Sequence, residues 1–276
     1  MKIACIQPKI FQNRNKCYSE IERLLMNLLE RVDKCDIVCL PERWVPFLKS
    51  SSQNLHKERG ENYLFIKNLA KDFHISILSG AIWEKRNNLK KPAITCYYFD
   101  QTGEEIGRQD KIHLYSYERK LFQPGKELNL FRIKDFFFAV LICFDMAFFE
   151  TPHLAAENGA DLIFSPTQIR EDGMQNWNIY LQARALENRI PIAACNSVGS
   201  FFKRRFLGNS KIISFVKSFI SPSKLKIIEG PMGSGFVFDD IDLIFPRKLR
   251  RIRFNEKVEK SKIKVNVIKN EKYNKK

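Results

Sequence analysis

The stretch "FFFAVLICFDMAFFE", residues 136–150, decides how the chain is read. An apolar run from Phe136 to Ile142 has the length of a buried strand, and the polar Asp145 and small Ala147 follow shortly after Cys143. A strand that ends on a thiol and then turns can present a reactive side chain at the edge of an α/β sheet. A cysteine there can equally be apolar filler. The rest of the chain has to separate the two.

Outward from this point, short apolar runs alternate with helix-like patterns. "KIACIQ" (2–7) reads as a buried strand, and residues 16–32 place Ile21, Leu24, Leu25, Leu28 and Leu29 at helical spacing. "DIVCLP" (36–41), the helix "ENYLFIKNLAKDF" (61–73) and the strand "ISILSGAI" (75–82) repeat the unit. "AITCYYFD" and "GEEIGRQDKIHLY" flank Gly103 and predict a hairpin. "ADLIFSP" and "IPIAACN" add strands, with helices expected at about 151–158 and 174–189. The alternation predicts an α/β protein with mixed sheets. Residues 203–230 read as less regular.

Composition narrows the class. The chain has 276 residues, 44% of them hydrophobic, which supports one sizeable core. No apolar stretch approaches the roughly 18 residues of a membrane helix, and "MKIACIQPKI" lacks a signal-peptide pattern. Seven scattered cysteines predict reduced thiols and a cytoplasmic protein, and Cys35 and Cys39 find no partners for a zinc site. Between Arg247 and Lys276 there are 13 Lys or Arg against 3 Glu, so this tail carries +10 of the net +16. A domain of residues 1–246 with a basic extension at 247–276 is expected. The tail could touch a polyanion such as nucleic acid, although a solvated terminal segment has the same composition.

The chemistry-bearing candidates lie at strand ends. There is no G-x-S-x-G, phosphate-loop or H-E-x-x-H motif. Glu42, Lys111 and Cys143 each follow a strand-like run, "DIVCLP", "EIGRQD" and "FFFAVLI" respectively. If the strands are neighbours, a carboxylate, an ammonium and a thiol meet, able to deprotonate the sulfur and hold negative charge. Taken singly, each also suits a structural role. Thr167 and Gln168 follow the next strand and are candidates for the pocket wall. Arg184, Glu187 and Asn188 read as a structural cluster beside it, and Trp83 and Trp177 as packing.

Motifs in order, after an opening "KIACIQ" similar to the family's first strand, resemble the nitrilase (carbon–nitrogen hydrolase) superfamily. "DIVCLPERW" is similar to its glutamate motif, and "GRQDKIHLYSYERKLFQPG" to its lysine motif with a second glutamate at Glu118. "VLICFDMAFFETPHLAAENGADLIFSPTQ" is similar to its cysteine motif. The resemblance implies a four-layer α-β-β-α sandwich and an amidase-like enzyme, dimeric or higher, needing no metal or organic cofactor. It implies that Glu42 acts as general base, Cys143 as nucleophile and Lys111 as oxyanion stabiliser beside the Phe144 N–H, with Glu118 positioning the lysine or assisting proton transfer. Expected substrates are small linear amides, with N-carbamoyl acids or nitriles as alternatives. Ala147 stands where several amidase branches carry arginine, so a substrate carboxylate is not anchored at that position.

Overall fold

The computed structural model describes residues 1–46, 48 and 52–268. Strand Lys2–Gln7 shows how its layers arise. Ile3 and Cys5 join a cluster with Ile37, Cys39 and Leu78 of neighbouring strands and with Phe138, Val140 and Phe164 of a second sheet. Ala4 and Ile6, on the opposite face, pack against Ile21, Leu25 and Leu28 of helix Arg14–Arg31 and Ile66 and Leu69 of helix Glu61–Asp72. A strand with period-two side chains is thus apolar on both faces because both are covered. In the second sheet, Ala139, Ile163 and Ala194 lie under Ala155 of helix Glu150–Glu157 and Leu181 and Ala185 of helix Met174–Asn188. The four layers are helix, sheet, sheet and helix, as expected, and each buried aliphatic side chain stabilises them by about 1.5–3 kcal/mol.

Strand order fixes which ends converge. The first sheet runs Gly235–Asp240, Lys2–Gln7, Ile37–Cys39, Ser76–Leu78, Ala93–Phe99, Ile82–Lys85 and His56–Lys57, with Glu105–Asp110 also paired to Ala93–Phe99. The second runs Leu225–Glu229, Lys211–Phe215, Ile192–Asn196, Leu162–Thr167, Phe136–Val140 and Leu130–Ile133. Strands 2–7, 37–39 and 76–78 are parallel. Strand 105–110 has the same sense, because two antiparallel pairings separate it from 76–78. Strands 136–140, 162–167 and 192–196 are parallel to one another. Glu42, Lys111 and Cys143 therefore each follow the carboxyl end of a strand, where α/β sheets place their sites.

Three expectations need adjustment. "ISILSGAI" is not one strand: Gly80 breaks it at φ +65°, and a Cβ there would lie 2.1 Å from the Pro41 carbonyl oxygen. Ser76–Leu78 and Ile82–Lys85 then pair with opposite ends of Ala93–Phe99, both along the edge away from Glu105–Asp110. Residues 203–230 are more regular than read, containing strands Arg204–Leu207, Lys211–Phe215 and Leu225–Glu229. Their lysines and serines hide the alternation because these strands lie toward sheet margins. The boundary at 246/247 falls inside helix Ile244–Asn255, in which Pro246, Leu249 and Arg250 are buried.

That helix is tied down by Asp161, itself 1% exposed. Its carboxylate accepts from Arg247 at 2.7 and 2.9 Å, from Arg250 at 3.1 Å and from the Phe137 amide at 3.0 Å. Two of the tail's cations are thus committed within the molecule. Asp161→Ala strands the buried Arg250 and is expected to lower the unfolding free energy by about 3 kcal/mol. Urea denaturation reads this, and a loss below about 1 kcal/mol would assign the helix's hold to apolar packing instead.

Candidate active site

The thiol is held on a strained turn. After strand Phe136–Val140 the chain continues through Leu141 and Ile142 and enters a 3-10 turn, Cys143–Ala147, with Cys143 at φ +48°. That left-handed conformation costs a non-glycine residue about 1–2 kcal/mol. Asp145 holds it: its fully buried carboxylate accepts from the Ile142 amide at 2.9 Å and from the His113 amide at 2.6 Å. His113 lies two residues after Lys111, so one carboxylate joins the turn bearing the thiol to the segment bearing the ammonium.

Lys111 is 1% exposed, and its Nζ lies 2.7 Å from Glu42 Oε1 and 2.9 Å from Glu118 Oε2. Glu118 opens the short helix Glu118–Leu121, and its Oε2 also accepts from the Tyr115 amide at 2.8 Å. Glu42 follows Pro41, whose carbonyl fits against Gly80, and the Glu42 amide donates to the Thr167 carbonyl at 3.2 Å. The next residue repeats the link, with the Arg43 amide donating to Ser197 Oγ at 3.2 Å. These bonds join the two sheets where the side chains emerge.

Electrostatics follow from this packing. Burial alone would depress the Lys111 pKa, but the charges of Glu42, Cys143 and Glu118 outweigh it and hold it well above the usual value. Burial raises that of Glu118 against the pull of Lys111. The Cys143 thiol is pushed well above an ordinary cysteine, first by burial and then by the Glu42 charge, against Lys111 and the Gln168 amide. The resting sulfur is therefore protonated, with a carboxylate beside it to take the proton.

Glu42, Lys111, Glu118 and Cys143 line one cavity of about 310 Å³, together with Phe144 and Gln168. All six stand out in the sequence, and the fold brings them together. Thr167 is a correction: it is fully buried outside the cavity lining, its hydroxyl donating to the Cys195 carbonyl at 3.0 Å. An inward-facing strand residue is occupied by the neighbouring strand. Arg184 bonds Glu187 at 2.9 Å and the Ala147 carbonyl at 3.0 Å, bracing the far end of the cysteine turn. Trp83 packs on Phe122 and under Arg43. Trp177, read as packing, is 3% exposed and also lines the cavity. Asp145 and Arg204 escape the sequence reading. For Asp145 the available signal is a carboxylate two residues after the thiol, where it can cap the turn. Among the described residues no cluster of His, Cys, Asp and Glu could hold a metal, all seven cysteines are free, and no helix is long and apolar enough to cross a membrane.

Comparison with known proteins gives the family. A carbon-nitrogen hydrolase family model matches residues 2–223, so the chain belongs to that family, part of the nitrilase superfamily. A Schizosaccharomyces pombe relative bearing the name probable nitrilase is 34% identical over 154 residues, 56% of this chain and 57% of that protein. The 2-oxoglutaramate amidase of Bacillus subtilis is 27% identical over 245 residues, 87% of this chain and 90% of its own. Saccharomyces cerevisiae Nit3 superposes with a TM-score of 0.80 at 20% identity, covering 95% of this chain and 97% of that one. A mutant amidase from Nesterenkonia sp. AN1, with the acetamide moiety of fluoroacetamide covalently added at its active-site cysteine, gives 0.73 at 20% identity, covering 92% and 95%.

Alkylation of Cys143 by iodoacetamide, mapped by peptide mass spectrometry across pH, is expected to titrate above an ordinary thiol. Glu42→Gln should shift the curve downward, since it removes a charge that opposes the thiolate. A curve lying below that of free cysteine would overturn this account of the charges.

Proposed function

We propose that the protein hydrolyses the C–N bond of a small linear amide through a thioester on Cys143. One observation carries the reading: a buried ammonium held between two carboxylates in the same cavity as a thiol on a strained turn. Glu42 takes the thiol proton as the sulfur attacks the amide carbon. The oxygen's developing charge is met by the Lys111 ammonium and the Phe144 N–H. Collapse of the tetrahedral species breaks the C–N bond, and the leaving ammonia or amine collects the proton from Glu42. Water then gives a proton to Glu42 and attacks the thioester, releasing the acid and restoring the thiol. Glu118 positions Lys111 throughout, and Gln168 lines the acyl site.

The charge balance favours this sequence. A thiol with a raised pKa is a poor nucleophile unless its proton leaves as the bond forms. Lys111 compensates whichever of Glu42, the thiolate or the oxyanion carries the negative charge. The amide substrate, rather than an N-carbamoyl acid or a nitrile, is supported by the activity for which the Bacillus subtilis relative is named.

The homo-oligomer implied by the family resemblance is part of the proposal. Phe149, Leu154 and Ile179, on or beside two neighbouring helices, are between 43% and 57% exposed. Sedimentation is expected to show a dimer or larger, and a monomer at micromolar concentration would remove this part.

Ammonia release from a panel of amides, ureido acids and nitriles tests the activity. Cys143→Ala is expected to abolish release, and Glu42→Gln to lower kcat/KM by about 100-fold or more. Acid quenching during turnover should trap an acyl mass on the Cys143 peptide. Hydrolysis persisting in Cys143→Ala would exclude the thioester route.

A further inference from the structure

We propose that the C-terminal segment from Ile244 to Ile268 binds the surface of an anionic phospholipid bilayer. The inference is independent of the reaction in the cavity and concerns the basic segment that the site does not use.

The cations of this segment divide into two groups. Arg247 and Arg250 are committed to Asp161, and Lys257 pairs with Glu157 at 2.7 Å. Lys248, Arg251, Arg253, Lys260 and Lys264 make no hydrogen bond or ion pair among the described residues. The patch continues onto the end of helix Met174–Asn188. There Arg189 has its pKa lowered first by burial and then by the charge of Arg253, against Glu256. Unpaired cations of one sign repel one another and are drawn to an anionic surface within a Debye length, roughly 8–10 Å.

Aliphatic side chains are interleaved with these cations. On helix Ile244–Asn255, helical spacing puts Ile244, Lys248, Arg251 and Ile252 on one face, opposite the buried Pro246, Leu249 and Arg250. Ile244 is 69% exposed and Ile252 37%. Farther on, Ile263, Val265 and Val267 are 59%, 87% and 80% exposed, with Lys262, Lys264 and Asn266 alternating between them. In an extended chain that alternation gives one aliphatic and one polar side.

This composition selects the partner. Methyl groups enter the boundary of the acyl chains while ammonium and guanidinium groups meet the phosphates, so a lipid surface satisfies both. Nucleic acid would take the cations, but unpaired bases are met by stacking, and no aromatic ring is among the exposed large apolar side chains of this segment. A second copy seated symmetrically on the segment would set the same cations against these, which is unfavourable. Among the described residues no helix is long and apolar enough to cross a membrane, so the association is with the surface.

Co-sedimentation with vesicles tests this in the full chain. The native protein is expected to pellet with equal parts phosphatidylglycerol and phosphatidylcholine, to stay in solution with phosphatidylcholine alone, and to be released by salt. Lys248→Gln, Lys260→Gln and Lys264→Gln together should weaken vesicle binding about 100-fold, about fivefold per cation. Ile263→Ser, Val265→Ser and Val267→Ser together should weaken it about tenfold or more and leave the affinity for single-stranded RNA unchanged. All six side chains are exposed, so both variants are expected to melt with the native protein. Failure of the native protein to bind anionic vesicles overturns the proposal, as does a serine variant that binds them undiminished. A serine variant that loses RNA and vesicles equally assigns the segment to another polyanion and overturns it too. A lower sedimenting mass of the serine variant without vesicles would set these aliphatics against a second copy, with the same consequence.

Discussion

The rest of the molecule depends on the Lys111 ammonium being held between Glu42 and Glu118. Taking an ammonium and two carboxylates out of water costs several kcal/mol per ion, repaid only where the partners meet at hydrogen-bond distance. Here they meet at 2.7 and 2.9 Å. Glu42 and Lys111 are 69 residues apart in sequence. Their meeting is a property of the sheet, because both strands leading to them point the same way. A register slip of one residue would turn the lysine to the other face and leave the carboxylates unpaired.

Strand ends alone would not hold such a cluster, since loops following strands are free to differ. The neighbouring backbone supplies the restraint. The Glu42 and Arg43 amides bond to Thr167 and Ser197 of the opposite sheet, and Asp145 bonds to both the Cys143 turn and the Lys111 segment. Gly80 permits the close approach of Pro41 that sets the direction of Glu42. Each device uses a buried polar group that would be costly if unsatisfied, so the geometry of the site and the stability of the fold are enforced by the same bonds.

These features are unequally legible in the sequence. Doubly buried strands read plainly because an uninterrupted apolar run of five or so residues suits a strand covered on both faces. Glu42 and Cys143 stand out as polar breaks at the ends of such runs, whereas Lys111 follows the polar "GRQD" and is legible only through its motif. Ser76–Leu78 and Ile82–Lys85 merge in the reading because a single glycine separates two apolar stretches, and only the tertiary approach of Pro41 makes that glycine a break. Thr167 is misplaced because alternation gives a side chain's face but not what its hydroxyl meets. Arg204 is invisible: in "FFKRRFLG" adjacent arginines look alike, and pairing with Val198–Phe201 alone sends one toward the cavity and the other toward Glu171.

The cavity is consequently polarised in a way that bears on its chemistry. A neutral amide entering it meets, near Cys143, an ammonium already shared by two carboxylates, so Lys111 offers limited attraction to the ground-state carbonyl. In the proposed reaction, when the thiol proton passes to Glu42, that carboxylate becomes neutral and its claim on Lys111 weakens as negative charge moves onto the substrate oxygen. The ammonium then faces the oxyanion with one fewer competitor. Stabilisation of this kind grows with progress along the reaction and is small at binding, which is the condition for an interaction to raise kcat rather than only lower KM. The same transfer relieves the Coulomb repulsion that keeps the resting thiol protonated. One proton moved over a hydrogen-bond length thus frees the nucleophile and the electrophilic stabiliser together, and the arrangement needs Glu42 to contact both.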